Sequence, residues 1–258
     1  MNLSTLAKIS ITALALTSVS SSATIVEFTT SQGNFKVNLH DQTTPETVRN
    51  FLQYVTDEDY NNTVVHRVEP GFVMQAGGFE FTGNFPLNAI ATDSPIQNEP
   101  VFSNVRGTIA MAKVGGNVNS ATSQWFINLS DNSTGGSALD TQNGGFTVFG
   151  EVIEGMDNID AIAQLPLCNS IPMPDQTSEN CADPNFIPGV ENFVTIETVT
   201  ITDSSITTDD SLTSVRNTSL NSTTAGSPSS SSGGTIAWFS LIMTALVSVR
   251  RFIKNNHR

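Results

Sequence analysis

The distribution of large apolar side chains is the feature that most limits what this chain can fold into. Such residues are well spread through residues 24–203, and then Ser, Thr and Asn replace them almost completely until residue 235. A stretch of about 180 residues is long enough to bury most of its apolar surface in one core. We therefore expect one globular domain, followed over residues 204–232 by a Ser/Thr-rich flexible spacer with too little apolar surface to pack.

The N-terminal 23 residues have the three-part pattern of a secretory signal peptide. Lys8 supplies the positive charge, residues 9–19 form a short apolar run, and residues 21–23 offer a small-residue cleavage site that ends at Ala23. A membrane anchor is the alternative, but this run is much shorter than the ~20 apolar residues of a transmembrane helix. We expect cleavage near Ala23 and export of the domain.

Residues 233–258 combine Gly233-Gly234 with a mostly apolar run over residues 235–249 and a basic end. The basic end should stay cytoplasmic, which places the globular domain across the membrane. This order resembles the Gly-Gly C-terminal sorting signals of Gram-negative bacteria, which a membrane protease trims before the protein reaches the surface or the medium. A plain C-terminal anchor is the alternative, and the basic end argues against a GPI signal.

Acidic side chains dominate the globular stretch. Residues 24–203 contain 22 Asp and Glu against 5 Lys and Arg, which gives a net charge of −17. Nucleic-acid-binding proteins need a basic face for the phosphates, so the charge argues against that class of partner. An acidic surface keeps an exported protein soluble, and it makes each basic residue of the domain, Arg67 among them, unusual.

The two cysteines, Cys168 and Cys181, lie in one loop-like stretch. In an exported protein such a pair is more often a disulfide than a metal or redox site. The chain has no C-x-x-C motif, and its three histidines, which are His40, His66 and His257, lack metal-ligand spacing. We therefore predict a structural disulfide between Cys168 and Cys181, and we expect no metal or other cofactor.

Two helices are predicted from apolar residues at helical spacing. In the first, Thr44 is the expected N-cap and Pro45 the first helical residue, and the apolar stripe runs to Val55. The second covers residues 156–165 and ends before Pro166.

The rest of the domain consists mainly of short strands with Gly, Asn and Asp between them. Apolar alternation on both sides of residues 31–33 predicts a hairpin. Further strands are predicted over residues 64–67, 72–76, 107–112, 124–128, 146–152 and 193–201. Many short strands with two helices favour a closed antiparallel barrel, because closure removes exposed strand edges.

Three sequence blocks resemble the cyclophilins, a family of peptidyl-prolyl cis-trans isomerases. The first is VVHRVEPGFVMQAGG, the second pairs RGTIAMAK with SATSQWFIN, and the third pairs Leu139-Asp140 with FTVFGEVIEGMD. They occur in family order across most of residues 24–203, so the resemblance is specific, and it is closest to exported bacterial members. It implies a mainly β fold, in which a closed antiparallel eight-stranded barrel is capped by two α-helices, and isomerase activity without a cofactor.

The resemblance makes Arg67 the catalytic donor and gives Gln75 the tasks of orienting Arg67 and holding the substrate carbonyl. Partial double-bond character gives a peptide bond a rotational barrier of ~18–20 kcal/mol. As an X-Pro bond twists, its nitrogen regains a lone pair, which a fixed cationic donor stabilises more in the twisted state than in the planar one. Arginine suits this role because it is always charged. An ion pair between Arg67 and Glu69 is the alternative role for this arginine.

The resemblance also implies a substrate groove beside Arg67. Aromatic and aliphatic side chains wall the proline pocket, and the backbone at Lys113 pairs with an extended peptide. The implied substrate-binding residues are Phe72, Val73, Ala112, Lys113, Gln124, Phe126, Leu139 and Phe146. For the two pocket phenylalanines, Phe72 and Phe126, ordinary core packing is the alternative.

Three positions depart from the family pattern. Ala138 stands where many members have tryptophan, which implies weak cyclosporin binding. Lys113-Val114 replaces Asn-Ala, which leaves the groove's preference open, and Phe146 replaces a histidine of eukaryotic members.

The expected partners are proline-containing segments of exported proteins, and the expected state is a monomer in the periplasm, at the cell surface or in the medium. Before any processing, the C-terminal segment is expected to contact the membrane. A non-catalytic proline-peptide-binding or chaperone module is one alternative, and it would bind peptides without accelerating isomerisation. A surface-anchored structural protein is the other, and its groove residues would be dispensable.

Overall fold

The computed structural model describes residues 24–183, 185–204 and 212–220. Its helices are α1 (Pro45–Thr56), α2 (Met156–Ala163) and α3 (Ser178–Ala182). Its strands are β1 (Ile25–Thr30), β2 (Phe35–Leu39), β3 (Thr63–Val64), β4 (Arg67–Glu69), β5 (Val73–Ala76), β6 (Phe79–Glu80), β7 (Asn88–Ala89), β8 (Thr108–Met111), β9 (Trp125–Asn128), β10 (Val148–Glu154), β11 (Leu167–Cys168), β12 (Ile171–Pro172) and β13 (Thr195–Asp203). The predicted strands are present with ends shifted by at most two residues, except that the strand predicted over residues 64–67 is divided between β3 and β4.

Eleven of these strands form one antiparallel sheet in the order β4-β5-β9-β8-β10-β2-β1-β13-β3-β6-β7. The sheet curls on itself because β3 and β4 are parts of one continuous stretch of chain. At its start Val65 N–H donates to Val194 O at 2.9 Å, and further on His66 N–H donates to Gln75 O at 3.1 Å. Counted as one strand, this stretch completes a ring of eight strands, as the predicted barrel requires.

The inner face of the curled sheet carries the main core. Phe28 and Phe35 face each other across β1 and β2 with their rings stacked 4.4 Å apart, and the Trp125 ring lies 5.1 Å from Phe28. The predicted hairpin is therefore confirmed. Full burial of one such side chain stabilises the fold by roughly 1.5–3 kcal/mol.

Helix α1 begins at Pro45 as predicted, but its first turn is capped differently. The Thr44 side chain makes no capping bond and instead donates to His40 O at 3.3 Å. The carboxylate of Glu99 accepts from the backbone N–H of Thr47 at 2.9 Å and from its hydroxyl at 2.7 Å. A carboxylate at this place also interacts favourably with the helix dipole. Helix α2 ends at Ala163, two residues before the predicted end.

The predicted disulfide between Cys168 and Cys181 is present and ties α3 to the short hairpin of β11 and β12. The turn of this hairpin lies against β4, where Val68 N–H donates to Ser170 O at 2.7 Å and Ser170 Oγ donates to Glu69 Oε1 at 3.1 Å. The hairpin therefore supports the strand that carries Arg67.

Residues 212–220, which the sequence places in the spacer, lie against the domain. Ser103 N–H donates to Val215 O at 2.8 Å, and Asn217 N–H donates to Val101 O at 2.9 Å. The expected signal peptide, the Gly-Gly motif and the apolar tail lie outside the described residues. Among the residues that are described, no helix is long and apolar enough to cross a membrane.

Candidate active site

The strand register places a row of side chains across one face of the sheet. In antiparallel strands, directly opposed residues point to the same face. Five strands contribute one residue each to the row, namely Arg67, Gln75, Phe126, Ala110 and Val148. The neighbouring row, Val68, Met74, Ile127 and Ile109, belongs to the main core. The predicted site residues therefore lie together on the face opposite the main core.

Arg67 is held between two acceptors and an aromatic ring. Its Nη1 donates to Gln75 Oε1 at 3.4 Å, and its Nη2 lies 3.5 Å from Glu69 Oε1. Its guanidinium carbon is 6.0 Å from the centre of the Phe72 ring. Gln75 is the partner expected for a catalytic Arg67, and the ion pair with Glu69 that was the alternative role is present as well. The Arg67 side chain is 21% exposed, so part of it remains in contact with solvent.

Burial lowers the pKa of Arg67, and the Glu69 carboxylate opposes this shift. An arginine keeps its proton under all such conditions. The site therefore presents a permanent cation in a partly desolvated position, where its field acts more strongly than in water.

Gln75 is fixed in turn by Gln124. Gln75 Nε2 donates to Gln124 Oε1 at 2.8 Å, so the Gln75 carbonyl oxygen is turned towards Arg67. A Cβ at Gly78 would lie 2.6 Å from the Gln124 side chain, so a larger residue there would displace the side chain that fixes Gln75. This packing explains the glycine at that position of the first sequence block.

A separate apolar cluster lies beside Arg67. Phe126 and Phe146 meet edge to face with ring centres 5.8 Å apart, and Leu139 is almost fully buried next to them. The buried members are Val73, Phe102, Ala110, Phe126, Leu139, Phe146 and Val148, and the partly buried members include Phe72, Val101 and Ala112. The cluster brings together all six apolar residues that the sequence analysis assigned to the groove.

Lys113 closes one side of this cluster. Its ammonium group donates to Asn143 O at 2.9 Å and to Gly145 O at 2.6 Å, and it lies 4.8 Å from the centre of the Phe146 ring. Burial lowers the pKa of Lys113 to about 8. The side chain thus holds the loop that presents Phe146, a role that the sequence analysis did not assign to it.

A buried polar network, which the sequence did not predict, lies behind the pocket. Asn128 Nδ2 donates to Asn104 Oδ1 at 3.3 Å, Asn132 Nδ2 donates to Asn128 Oδ1 at 2.8 Å, and Asp140 Oδ1 accepts from Asn104 N–H at 2.8 Å. Asn132 Nδ2 also donates to Phe72 O at 2.9 Å. The network therefore joins the strands of the site to the segment that carries Leu139.

No group of three His, Cys, Asp or Glu side chains within the described ranges is placed to hold a metal ion. The arrangement is that of a peptide site with a cation beside an apolar pocket.

Comparisons with known proteins agree with this geometry. The family model described as cyclophilin type peptidyl-prolyl cis-trans isomerase/CLD matches residues 25–182, which is more than half of the chain. The chain is 44% identical over 146 residues to a peptidyl-prolyl cis-trans isomerase of Acinetobacter baylyi, a match that covers 55% of this chain and 73% of that protein.

Two further relatives and one solved structure extend the comparison. Peptidyl-prolyl cis-trans isomerase A of Dickeya dadantii is 41% identical over 161 residues, with 61% of this chain and 80% of that protein covered. Peptidyl-prolyl cis-trans isomerase B of Escherichia coli is 44% identical over 143 residues, with 54% and 83% covered. A cyclophilin-type isomerase from Cryptosporidium parvum shares the fold, with a TM-score of 0.50, 22% identity and coverage of 70% of this chain and 98% of its own. The chain therefore belongs to the cyclophilin-type peptidyl-prolyl cis-trans isomerases, enzymes that accelerate rotation about X-Pro peptide bonds.

Proposed function

We propose that Arg67 is the catalytic donor of this isomerase and that it stabilises the twisted X-Pro bond. The observation that carries this assignment is the cross-strand row that sets Arg67 and Gln75 beside Phe126. The proline ring enters the apolar pocket lined by Phe72, Phe126 and Leu139, which holds it next to the guanidinium. Val73, Ala112, Lys113, Gln124 and Phe146 line the rest of the groove. Rotation then needs no covalent intermediate, because stabilisation of the developing lone pair is enough.

We further propose that the substrates are X-Pro segments of exported proteins. The support is the signal-peptide pattern of residues 1–23 and the disulfide between Cys168 and Cys181, since disulfides persist in oxidising compartments such as the periplasm. The Gly-Gly tail supports a periplasmic, surface or secreted location, reached through a membrane-bound stage.

We expect a monomer, and we expect cyclosporin to bind weakly because Ala138 offers no large side chain beside Leu139. Sedimentation of the purified protein tests the first expectation. Competition of cyclosporin with an Ala-Pro peptide tests the second.

The test of Arg67 is a prolyl isomerisation assay on the purified full-length protein with an Ala-Pro peptide. Arg67→Ala is expected to lower kcat/KM by about 100-fold or more, the size of effect seen when a preorganised charge-stabilising donor is removed. Arg49→Ala is the matched control, since Arg49 is an exposed arginine on α1 that pairs with Glu46 at 3.0 Å. It is expected to leave kcat/KM unchanged.

A folded Arg67→Ala protein with wild-type kcat/KM would overturn the assignment of Arg67. If instead the wild-type protein binds the peptide and does not accelerate its isomerisation, the chain is a binding module. Calorimetric titration of the wild-type protein with the peptide detects binding independently of catalysis.

A further inference from the structure

A short segment beyond the last strand forms a backbone ladder with the domain. We call residues 212–220 the strap. The strap runs antiparallel to residues 101–103, with Phe102 and Arg216 directly paired and a hydrogen bond on each side of the pair, Ser103 N–H to Val215 O at 2.8 Å and Asn217 N–H to Val101 O at 2.9 Å. The Arg216 guanidinium also lies 5.5 Å from the centre of the Phe102 ring. Because Phe102 belongs to the apolar cluster of the site, the strap covers the back of the proline pocket.

Asn217 is the buried residue of the strap and faces the segment that carries Leu139. The residue is only 9% exposed. Its side-chain Nδ2 donates to the backbone carbonyl of Asp140 at 2.8 Å, and its Oδ1 accepts from Ser219 N–H at 3.0 Å. Both ends of the side-chain amide are therefore bonded, and one of them fixes the peptide group between Asp140 and Thr141, one residue beyond Leu139.

The loop between Leu139 and Phe146 is short, and it packs against the Asp140 carbonyl that Asn217 binds. Phe146 N–H donates to Leu139 O at 2.9 Å, which closes the loop. Gly145 has a φ of 76°, and a Cβ built there would lie 2.7 Å from Asp140 O and 3.3 Å from Leu220 Cδ1. The strap thus bonds to the loop through Asn217, and the Leu220 side chain lies close to Gly145.

We propose that the strap is a positioning element of the isomerase site and that Asn217 sets the pocket wall formed by Leu139 and Phe146. Lys113 holds this loop from the groove side, and Asn217 holds it from behind. With Asn217 in place the pocket is formed before the proline arrives, so less of the binding energy is used to order it. Asn217 touches neither substrate nor Arg67, so its effect is on peptide binding rather than on the rotation step.

The test compares steady-state kinetics of full-length Asn217→Ala and Asn217→Asp with the wild type. Aspartate has nearly the same shape and keeps the acceptor for Ser219, but it cannot donate to the Asp140 carbonyl. Both variants are expected to raise KM for an Ala-Pro peptide by about three- to tenfold, the range that corresponds to one lost buried hydrogen bond, with kcat nearly unchanged.

Two controls on the same segment separate positioning from general stability. Thr213→Ala changes an exposed strap residue and is expected to leave KM and the unfolding midpoint unchanged. Ser214→Ala removes the contacts of Ser214 with His40 and Glu151, at the strap end away from Asp140. It is expected to lower the unfolding midpoint without raising KM.

Wild-type KM in both Asn217 variants would reject the proposal, and so would an equal rise of KM in Ser214→Ala. If Asn217→Ala does not fold, Asn217→Asp alone decides between these results. The role of the strap rests on the pocket proposed above. Arg67→Ala measured in parallel distinguishes a failure of the strap role from a failure of the site assignment. Loss of activity in Arg67→Ala with unaffected Asn217 variants would remove the strap role alone, whereas an active Arg67→Ala would remove the site assignment itself.

Discussion

The side chain of Lys113, and not only its backbone, helps to form the substrate groove. The ammonium group bridges two carbonyl oxygens of one loop and lies over the Phe146 ring. Lys113→Met keeps most of the apolar stem and removes the donors. We expect KM for an Ala-Pro peptide to rise by about three- to tenfold through the lost hydrogen bonds, with a smaller change in kcat.

Steady-state kinetics on the full-length variant measure this effect. Lys36→Met is the control, because the Lys36 ammonium pairs with Glu154 at 2.8 Å on the surface. Equal KM values for wild type and Lys113→Met would show that Phe146 is positioned without the lysine.

The titration of Lys113 gives a pH prediction of defined sign. Burial lowers its pKa from 10.5 to about 8, so the ammonium loses its proton in the native protein as the pH rises through about 8. The attraction to the carbonyls and the ring then weakens, and kcat/KM is expected to fall. The unfolded chain binds more protons between about pH 8 and 10.5, so this group makes the free energy of unfolding rise with pH over that interval.

Activity and urea unfolding measured in parallel from about pH 6 to about pH 10 test both signs. In Lys113→Met, kcat/KM and the free energy of unfolding are both expected to depend less on pH. A wild-type fall in kcat/KM that persists unchanged in the variant would assign the titration to another group.

At the scale of elements, the disulfide joins α3 to the hairpin that supports β4. The two cysteines are 13 residues apart in sequence. Closing a loop of this length stabilises a protein by about 3 kcal/mol in the chain-entropy model. We expect Cys168→Ser with Cys181→Ser to lower the free energy of unfolding by about that amount, and to change kcat/KM far less, because neither cysteine belongs to the pocket cluster.

Urea unfolding of the double variant and of the reduced wild type measures the effect. The two should agree, and reductant should not alter the double variant. Equal midpoints for oxidised and reduced wild type would show that the hairpin holds without the disulfide.

The positions of helices and strands were predictable from local sequence patterns, whereas contacts between residues distant in sequence were not. The β1–β2 hairpin and the start of α1 follow from alternation and from Pro45. The cap of α1 comes from Glu99, more than fifty residues away, which no local pattern indicates. The stretch of residues 64–67 was predicted as one strand, and it instead splits between two partners because it joins the ends of the curled sheet.

The site was predictable to the extent that the family resemblance supplied it. The strand register places Gln75 and Phe126 beside Arg67. Phe72, Leu139 and Phe146 join the cluster from segments outside the strands. Asn128 was predicted only as the end of a strand and Asn104 was assigned no role, yet both side chains are fully buried in the network behind the pocket. The Ser/Thr-rich composition predicted a spacer over residues 212–220. The contacts of one asparagine, Asn217, do not change that composition, so the pattern could not indicate them.

At the scale of the whole molecule, the net charge of −17 over residues 24–203 gives the domain a net negative field, against which Arg67 and Lys113 are local positive charges. Such a field raises the local concentration of cationic ligands, with effects of about tenfold or more on association. We expect kcat/KM for a Lys-flanked Ala-Pro peptide to exceed that for a Glu-flanked one by about tenfold at low salt. The ratio should approach one near 1 M salt, where the Debye length is only ~3 Å.

Assays of the two peptides across a salt series check this expectation. A neutral Ala-Pro peptide serves as the reference and should respond little to salt. A charge preference that survives at high salt would point to a direct contact in the groove, such as Glu69, and not to the field of the molecule.

The pairing of the first strand with the last has a consequence for how the chain is made. β1 lies between β2 and β13, so that Ile25 is paired with Asp203. The sheet therefore stays incomplete until about four fifths of the chain has been synthesised, and the stretch that leads into Arg67 lacks its neighbour Val194 until then. Contacts between such distant residues form late, because the loop between them must close first. We therefore expect the catalytic site to be complete only after the last strand has been synthesised, so that shorter nascent chains are still unfolded clients and not yet catalysts.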